Sequence, residues 1–444
     1  MKNTAKFCAL LLASLLLSGC VFQSGDDLLR APQPSKNYVA LQSELKSIAD
    51  TTGVVTAAPK SGSNRNSVQL VDLDNDGEDE AVSFFQDSKK VGQFTVYVHK
   101  KIGDKYIKTG QITGTGTAIE SVDYPVFTPD GRRGIVIAWQ IAGEGSTALT
   151  ACAFEGLKVY SVLETEYTMF DLFDLDGDGA TELVTFQIDP QGGRKAARLY
   201  HYDDGALPLV GETQMSPEAR SIVRVTSGYA AGNRPAVYAE EKNESGIGLM
   251  TDIFVYDEAA GFTNIALAGA QGAPVTTFRP VSVYATDING DGITEIPRAT
   301  LTAGAADGAA DAQYFLDWYA YGAEEPQMVR STYYNQVEEW MFTIPEAWHG
   351  AVAVTRGTSM GGMAFTTFEQ YNPTGDNIPV LRVYYITSDI RDILADNEGM
   401  IRLHETDSAV YAARIPDEAA GNPLALPQDE IERRFSMITQ DWGR

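Results

Sequence analysis

Short runs of alternating hydrophobic and polar residues recur along most of the chain, separated by turns rich in glycine, aspartate and asparagine. The first group has four such runs: SVQLVDL from Ser67, EAVSFFQ from Glu80, QFTVYVHKK from Gln93 and DKYIKTGQI from Asp104. Alternation with a period of two is typical of strands that bury one face, and the short turns favour antiparallel pairing. The pattern therefore predicts a four-stranded antiparallel sheet in this region.

The same four-strand pattern returns at intervals of about 50 residues, the spacing of propeller repeats. Equivalent positions in the turn between the first two strands are held by Asp76, Asp130, Asp178, Ala231 and Asp291. Four antiparallel strands in each repeat are typical of a propeller blade. We therefore predict an all-β fold, a β-propeller of about five four-stranded blades over residues 65–334.

From residue 335 the pattern changes. Strand-like runs such as GAVAVTRG and PVLRVYYIT are interrupted by SDIRDILADN, and a final helix is predicted from Pro427. Ile431, Phe435 and Ile438 would share the apolar face of that helix. We predict a small α+β C-terminal domain over residues 335–444.

The N-terminus has the pattern of an export signal. Lys2 and Lys6 precede an apolar run over residues 7–17, which ends in the sequence LSGC at Cys20. The run resembles a bacterial lipobox, so we predict a lipoprotein signal peptide over residues 1–19 and acylation of Cys20, for example with palmitate. The acyl chains would hold the protein at the extracytoplasmic face of the cell membrane. The alternative is an ordinary secretory signal with an incidental cysteine.

After the predicted signal, residues 20–37 have the composition of a polar tether that includes two prolines. Residues 38–64 are predicted to form an N-terminal helix and a lead-in to the propeller. Leu41, Leu45 and Ile48 are spaced as the apolar face of that helix.

Composition narrows the class of protein. With 44% hydrophobic and 21% charged residues, the 444-residue chain can bury a substantial core. A net charge of −26 argues against a nucleic-acid partner, because phosphates require a basic surface. Of three cysteines, Cys8 would leave with the signal and Cys20 would carry lipid. Only Cys152 remains, so no intramolecular disulfide is expected in the mature protein.

Three acidic nine-residue loops carry the candidate chemistry: DLDNDGEDE from Asp72, DLDGDGATE from Asp174 and DINGDGITE from Asp287. Each loop has carboxylate or amide oxygens at positions one, three and five, glycine at six and glutamate at nine. This spacing is that of a Ca2+ loop, since Ca2+ takes six to eight oxygen ligands. The predicted ligands are Asp72, Asp74, Asp76, Glu78 and Glu80; Asp174, Asp176, Asp178, Ala180 and Glu182; and Asp287, Asn289, Asp291, Ile293 and Glu295. Glu78, Ala180 and Ile293 would contribute backbone carbonyls.

Other interpretations of these loops remain open. An EF-hand would need a glutamate at position twelve and a following helix, but that position holds Ser83, Thr185 and Arg298 within strand-like sequence. A solvated acidic turn is the plain alternative, because Asp, Asn and Gly are common in turns. Mg2+ fits less well, since it keeps more of its water.

The loop pattern, placed between the first two strands of a blade, resembles the FG-GAP/VCBS repeat of integrin-type β-propellers. The chain is also similar to uncharacterised lipoproteins of Firmicutes through the stretches SGDDLLRAP, PKSGSNRNSVQLVDLDNDGEDE and WMFTIPEAWHG. The resemblance implies a propeller fold and a location at the cell surface, but it gives no indication of an activity.

We predict a non-enzymatic binding or interaction module on a membrane-anchored, calcium-stabilised propeller. Its partner would be a cell-wall glycan or an envelope protein. The four histidines are far apart in sequence and no HExxH or CxxC motif occurs, so no zinc enzyme is indicated. The alternatives are a glycan-active hydrolase or lyase on a calcium-bearing propeller and an assembly scaffold for envelope proteins.

Overall fold

The computed structural model describes residues 36–141, 147–189, 193–267, 277–322, 325–359 and 363–438. The predicted signal peptide, Cys20 and most of the predicted tether lie outside the described residues. The described chain begins with helix α1 (Lys36–Thr52), which confirms the predicted N-terminal helix. Leu41, one of its predicted apolar positions, is buried.

Six antiparallel sheets follow α1 within the described residues. The first sheet contains β1 (Val54–Thr56), β2 (Val68–Val71), β3 (Glu80–Asp87), β4 (Gln93–Ile102) and β5 (Lys105–Thr115). The second contains β6 (Ala118–Asp123), β7 (Ile135–Gln140), β8 (Thr147–Glu155) and β9 (Lys158–Tyr167). The third contains β10 (Met169–Phe173), β11 (Glu182–Ile188), β12 (Lys195–Tyr200) and β13 (Leu209–Gln214).

The fourth sheet contains β14 (Ser221–Ala230), β15 (Arg234–Lys242), β16 (Met250–Asp257) and β17 (Gly261–Asn264). The fifth contains β18 (Glu295–Leu301), β19 (Tyr314–Ala320), β20 (Gln327–Asn335) and β21 (Trp340–Thr343), with a C-terminal strand, β27 (Phe435–Met437), at its edge. The sixth contains β22 (Val352–Thr358), β23 (Ala364–Gln370), β24 (Ile378–Ile386), β25 (Met400–Glu405) and β26 (Val410–Arg414).

Successive sheets pack face to face, because inner strands such as β3, β7 and β11 bury side chains on both faces. The first and second sheets share a core that includes Phe84, Val96 and Trp139. Comparable clusters join the second sheet to the third, the third to the fourth, the fourth to the fifth and the fifth to the sixth. This serial packing of four-stranded antiparallel sheets is propeller architecture, and the predicted all-β propeller class is confirmed.

The C-terminal region departs in detail from the sequence-based boundaries. The fifth sheet extends through β21 to Thr343, beyond the predicted propeller end at residue 334. Residues 352–414 add a sixth sheet with one short helix, α2 (Arg391–Ala395). Helix α3 (Gln428–Arg434) ends one residue before Phe435, which starts β27 and pairs with Phe342 of β21. The predicted helical face through Phe435 and Ile438 is therefore wrong.

Candidate metal sites

The three acidic loops occupy the same place in the first, third and fifth sheets. The first two connect β2 to β3 and β10 to β11, and the third leads into β18. In the fifth sheet the strand before the loop is reduced to a bridge between Thr286 and Glu295. The predicted placement of the loops at the first turn of alternate sheets is confirmed.

The aspartate at position one closes each turn through backbone N–H groups. Asp72 accepts from Gly77 at 2.9 Å, Asp174 from Gly179 at 3.0 Å and Asp287 from Gly292 at 2.8 Å. The three glycines have φ of 86°, 90° and 89°, a left-handed conformation that other residues rarely adopt. The glycine at position six therefore sets the tight turn expected from the sequence.

The glutamate at position nine is buried in all three loops. Glu80, Glu182 and Glu295 are at most 1% exposed, and each is the first residue of the strand that leaves the loop. One carboxylate oxygen, Oε2, accepts the N–H of the residue at position two, at distances of 2.9 Å from Leu73, 2.7 Å from Leu175 and 3.0 Å from Ile288. These bonds fix the carboxylate and aim the second oxygen, Oε1, at the loop.

The partner of that second oxygen differs from loop to loop. Oε1 of Glu80 accepts a hydrogen bond from the Lys100 ammonium at 3.0 Å. Oε1 of Glu182 lies 2.9 Å from Nδ1 of His201. Oε1 of Glu295 is buried and has no hydrogen-bond partner. A buried carboxylate oxygen without a donor is costly, and either protonation of the carboxyl or a nearby cation would reduce that cost.

Electrostatics distinguish these glutamates from surface carboxylates. Burial raises the pKa of Glu295 to about 7, and the negative charges of Asp291 and Asp287 act in the same direction against the Ile288 N–H. Burial likewise raises the pKa of Glu182 to about 7. A nearby cation would reverse these shifts by favouring the ionised carboxylate.

The loops of the third and fifth sheets differ in the possible Ca2+ ligands that they present. Oxygens of Asp174, Asp176 and Asp178 lie within 4.8 Å of one another, as do ligand atoms of Asp176, Glu182 and His201. The fifth-sheet loop offers oxygens only and contains the unpartnered Oε1 of Glu295. The three aspartates of the third-sheet loop offer oxygens that suit a hard divalent cation, whereas His201 adds a nitrogen that such a cation does not prefer. The carboxylates of Asp287, Asp291 and Glu295 are not gathered as closely as those of the other two loops.

The first loop fits a metal less well. Oxygens of Asp72, Asp74 and Glu80 also lie within 4.8 Å of one another. However, Nζ of Lys100 lies between the carboxylates of this loop. An ammonium group there competes directly with a divalent ion.

The residues predicted to give backbone carbonyl ligands are held in a common conformation. The N–H groups of Glu78, Ala180 and Ile293 donate to Oδ1 of the aspartate at position five, at 2.9, 2.7 and 2.8 Å. Ligation by their carbonyls stays a prediction.

Lys100 and His201, which contact the loop carboxylates, were not among the residues predicted from the sequence. Both belong to the neighbouring strand segment, one residue beyond the pairs Ala81–His99 and Leu183–Tyr200. The equivalent residue in the fifth sheet is Ala320, paired with Glu295. The available signal was weak, because the separation from the loop glutamate is 20 residues for Lys100 and 19 for His201, and its meaning becomes visible only once the pairing of the strands is known.

The loops of the second and fourth sheets keep the turn without the ligands. Gly131 and Gly232 have φ of 89° and 82°, as in the acidic loops. Asp130 is paired with Arg132 at 3.0 Å, and its carbonyl accepts a hydrogen bond from Asn75 of the first loop at 2.8 Å. These turns therefore link sheets and hold no acidic cluster.

A serine motif and a group of aromatic residues outside the acidic loops are further candidates for a functional site. Residues 357–361 match the pattern GxSxG, but Ser359 lies in the connection between strands β22 and β23, whereas a nucleophile elbow joins a strand to a helix. The aromatic side chains of Phe315, Trp318 and Tyr321, which are close together in sequence, are buried in the cores between sheets. No helix among the described residues is long and apolar enough to cross a membrane.

A cleft of about 380 Å3 lies between the outer strands of the first and second sheets. Trp139 lines its floor, and Glu164 and Glu166 of β9 line one side. Both carboxylates lie on one face of the strand because they are two residues apart.

Comparisons with known proteins found only solved structures of low identity and low TM-score. No family model matches the sequence and no curated protein matches it. Among solved structures, an exotype rhamnogalacturonan lyase has 13% identity and a TM-score of 0.30, covering 72% of this chain and 66% of the lyase. A protein from Lactobacillus plantarum has 11% identity and a TM-score of 0.30, covering 72% of this chain and 85% of that one. The β-propeller domain of the trilobed protease from Pyrococcus furiosus has 10% identity and a TM-score of 0.26, covering 72% and 89%.

Proposed function

We propose that this protein is a lipid-anchored, extracytoplasmic binding module whose propeller is stiffened by Ca2+ in the loops of the third and fifth sheets. The observation that carries the metal assignment is the buried, unpartnered Oε1 of Glu295, whose carboxyl is close enough to Asp287 and Asp291 for their charges to raise its pKa. A divalent ion would neutralise this cluster and supply the partner that the oxygen lacks.

The metal would serve a structural purpose. Each ion would connect the loop to the first residue of the strand that follows, because the glutamate at position nine starts that strand. Binding to the folded state alone stabilises a protein by mass action, by about 2.7 kcal/mol at a hundredfold excess over Kd. The sheets that carry the ions would then hold the loop-bearing end of the propeller in a fixed shape for a cell-wall glycan or an envelope protein.

The metal assignment is tested by thermal unfolding of the full chain in calcium and in a calcium chelator. We expect a lower Tm in chelator, restored by calcium and not by an equal ionic strength of sodium chloride. An identical Tm under both conditions would overturn the calcium assignment. Anchoring is tested separately with Cys20→Ser, which should move the protein from the membrane fraction to the soluble fraction of the host.

Binding is tested by capture from native envelope with the full chain in detergent. Reproducible, calcium-dependent recovery of one glycan or one envelope protein is expected. Recovery of nothing above a heat-denatured control would argue against a binding module.

The cleft between the first and second sheets favours a second candidate, a glycan-active hydrolase or lyase. Glu164 and Glu166 line this cleft and could supply acid and base groups. This candidate predicts release of reducing or unsaturated ends from wall glycans. It further predicts that Glu164→Gln and Glu166→Gln abolish the release without lowering Tm.

A further inference from the structure

The Lys100 ammonium lies among the carboxylates of the first acidic loop. Its Nζ atom is 2.5 Å from Oδ2 of Asp74, 2.8 Å from Oδ2 of Asp76 and 3.0 Å from Oε1 of Glu80. An ammonium group has three N–H donors, so these three bonds use all of them. The three acceptors are the side chains at positions three, five and nine of the loop.

The ammonium group also lies close to an aromatic ring and is largely shielded from solvent. Its Nζ lies 6.0 Å from the ring centroid of Phe154, a buried residue of the second sheet. Only 13% of the Lys100 side chain is exposed. The neighbouring Lys101 has one ion pair, with the half-exposed carboxylate of Glu78 at 3.2 Å, and it does not enter the loop.

The same position on the neighbouring strand differs in the other two acidic loops. His201 occupies it in the third sheet and Ala320 in the fifth. The alanine leaves Oε1 of Glu295 without a partner, whereas the lysine supplies one to Oε1 of Glu80. The residue that faces the ninth-position glutamate therefore determines whether the loop contains its own positive charge.

An ammonium and a divalent ion cannot share these oxygens. Ca2+ would bind them at about 2.4 Å. It would then lie about 3–4 Å or less from a unit positive charge, where like charges repel strongly in partly buried surroundings. One of the two cations must leave.

We propose that Lys100 is the resident cation of the first loop, which keeps its conformation without a divalent ion, so that the chain binds metal at two acidic loops and not at three. The number of bound ions in this inference rests on the proposed function, whereas the position of Lys100 among the carboxylates does not. The sequence DLDNDGEDE thus has the spacing of a calcium loop, while the lysine on the next strand has replaced the metal.

The first experiment counts calcium ions bound to the full chain by equilibrium dialysis. Wild type is compared with Lys100→Met, which keeps the length of the side chain and removes its charge, and with Lys101→Met as the matched control. We expect one additional ion per chain in K100M and no change in K101M. We also expect Asp72→Asn to leave the wild-type number unchanged, whereas Asp287→Asn lowers it by one.

Two results of this experiment would overturn the inference: no additional ion in K100M, or loss of an ion in D72N. The expected stability effect is that calcium raises the Tm of K100M more than that of wild type. Ion number is read only on protein that is still folded. If D72N fails to fold, it is replaced by Asp74→Asn, and if K100M fails to fold, it is replaced by Lys100→Gln.

The second experiment measures the reactivity of lysines with an acetylating reagent, followed by mass spectrometry of the full chain. Lys100 should remain unmodified in calcium and in chelator, while the exposed Lys89 is modified in both. Calcium-induced modification of Lys100 would show that the metal displaces it and would refute the inference. If the wild-type chain binds no calcium at all, the proposed function fails, and this second experiment still decides the position of Lys100.

Discussion

Nη2 of Arg279 lies 2.7 Å from Oε2 of Glu240, and both side chains are buried. The guanidinium also donates to Oγ1 of Thr251 at 2.9 Å and to the carbonyl of Val283. Oε1 of Glu240 accepts the N–H of Ala285 at 2.6 Å. This network attaches the segment before the fifth-sheet loop to strands β15 and β16 of the fourth sheet. Contacts with the neighbouring sheet therefore help to fix the position of the loop.

Arg279→Met should therefore destabilise the protein strongly. Removing one partner of a buried pair leaves the other charge unpaired, which typically costs about 3–5 kcal/mol of unfolding free energy. The measurement is chemical denaturation of the variant and of Arg402→Met, whose three carboxylate partners are exposed, as a surface control expected to lose about 1 kcal/mol or less. Adding Glu240→Gln to R279M should recover part of the loss. Equal losses in R279M and R402M would contradict the role of the network.

The packing between the first and second sheets gives a second prediction. A Cβ atom built at Gly114 would lie 2.3 Å from Cζ2 of Trp139. Gly114→Ala should therefore cost about 1–3 kcal/mol, the usual penalty for overpacking a core. In the Trp139→Phe background the indole atoms that clash are absent, so the same substitution should cost less. A double-mutant cycle by chemical denaturation checks this coupling, and additive effects would show that the two residues do not meet.

Much of the fold follows from local pattern. The short apolar run in EAVSFFQ and the alternation in QFTVYVHKK predict the strands, and Gly77 fixes the turn of the first acidic loop through its positive φ. These signals lie within a few residues of one another. They can therefore be recognised in a single sequence without knowledge of the tertiary structure.

The occupant of each loop depends on strand register instead. His99 and Lys100 are adjacent and their side chains point to opposite faces of β4, so a slip of one residue would place the imidazole in the loop and the ammonium in the core. The end of α3 is similar, because pairing of Phe435 with Phe342 of β21 overrides a helical pattern that continues to Ile438. The residue that faces each loop and the end of α3 both depend on pairing between strands that are distant in sequence. The periodicity of the sequence alone does not predict that pairing.

His99 provides a prediction for the dependence of stability on pH. Burial lowers the pKa of His99 to about 4, assisted by the positive charge of Lys108. The unfolded chain has a pKa of about 6.5 at this residue. Between pH 6.5 and pH 4 the unfolded chain binds a proton that the folded chain does not, so the free energy of unfolding falls as the pH decreases through this window.

Each pKa unit corresponds to about 1.4 kcal/mol, so the loss attributable to His99 between these two pKa values is on the order of 3 kcal/mol. His99→Leu should reduce the fall in Tm between these pH values, while above pH 6.5 the contribution of the neutral histidine is fully present. His404→Leu is the control, because His404 is exposed. A profile for H99L that is parallel to wild type would exclude His99 as a source of the pH dependence.

Glu295 provides the sharpest test of the calcium-dependent stability. Glu295→Gln keeps the size of the side chain and an oxygen that can accept the Ile288 N–H, but it removes the charge aimed at the loop. We expect one fewer calcium ion per chain. We also expect the calcium-dependent part of the unfolding free energy to fall by about 1–3 kcal/mol under saturating conditions, in the range of one lost ligand-binding equilibrium.

In chelator the order of stability should reverse. Without a cation the buried carboxylate of Glu295 is repelled by Asp291 and Asp287, and a neutral amide removes that repulsion. E295Q should therefore be at least as stable as wild type in chelator and less stable in calcium. Asp307→Asn, at an exposed site in the same sheet region, should change neither value. A loss of stability in E295Q that is equal with and without calcium would mean that Glu295 acts only through its hydrogen bond to Ile288.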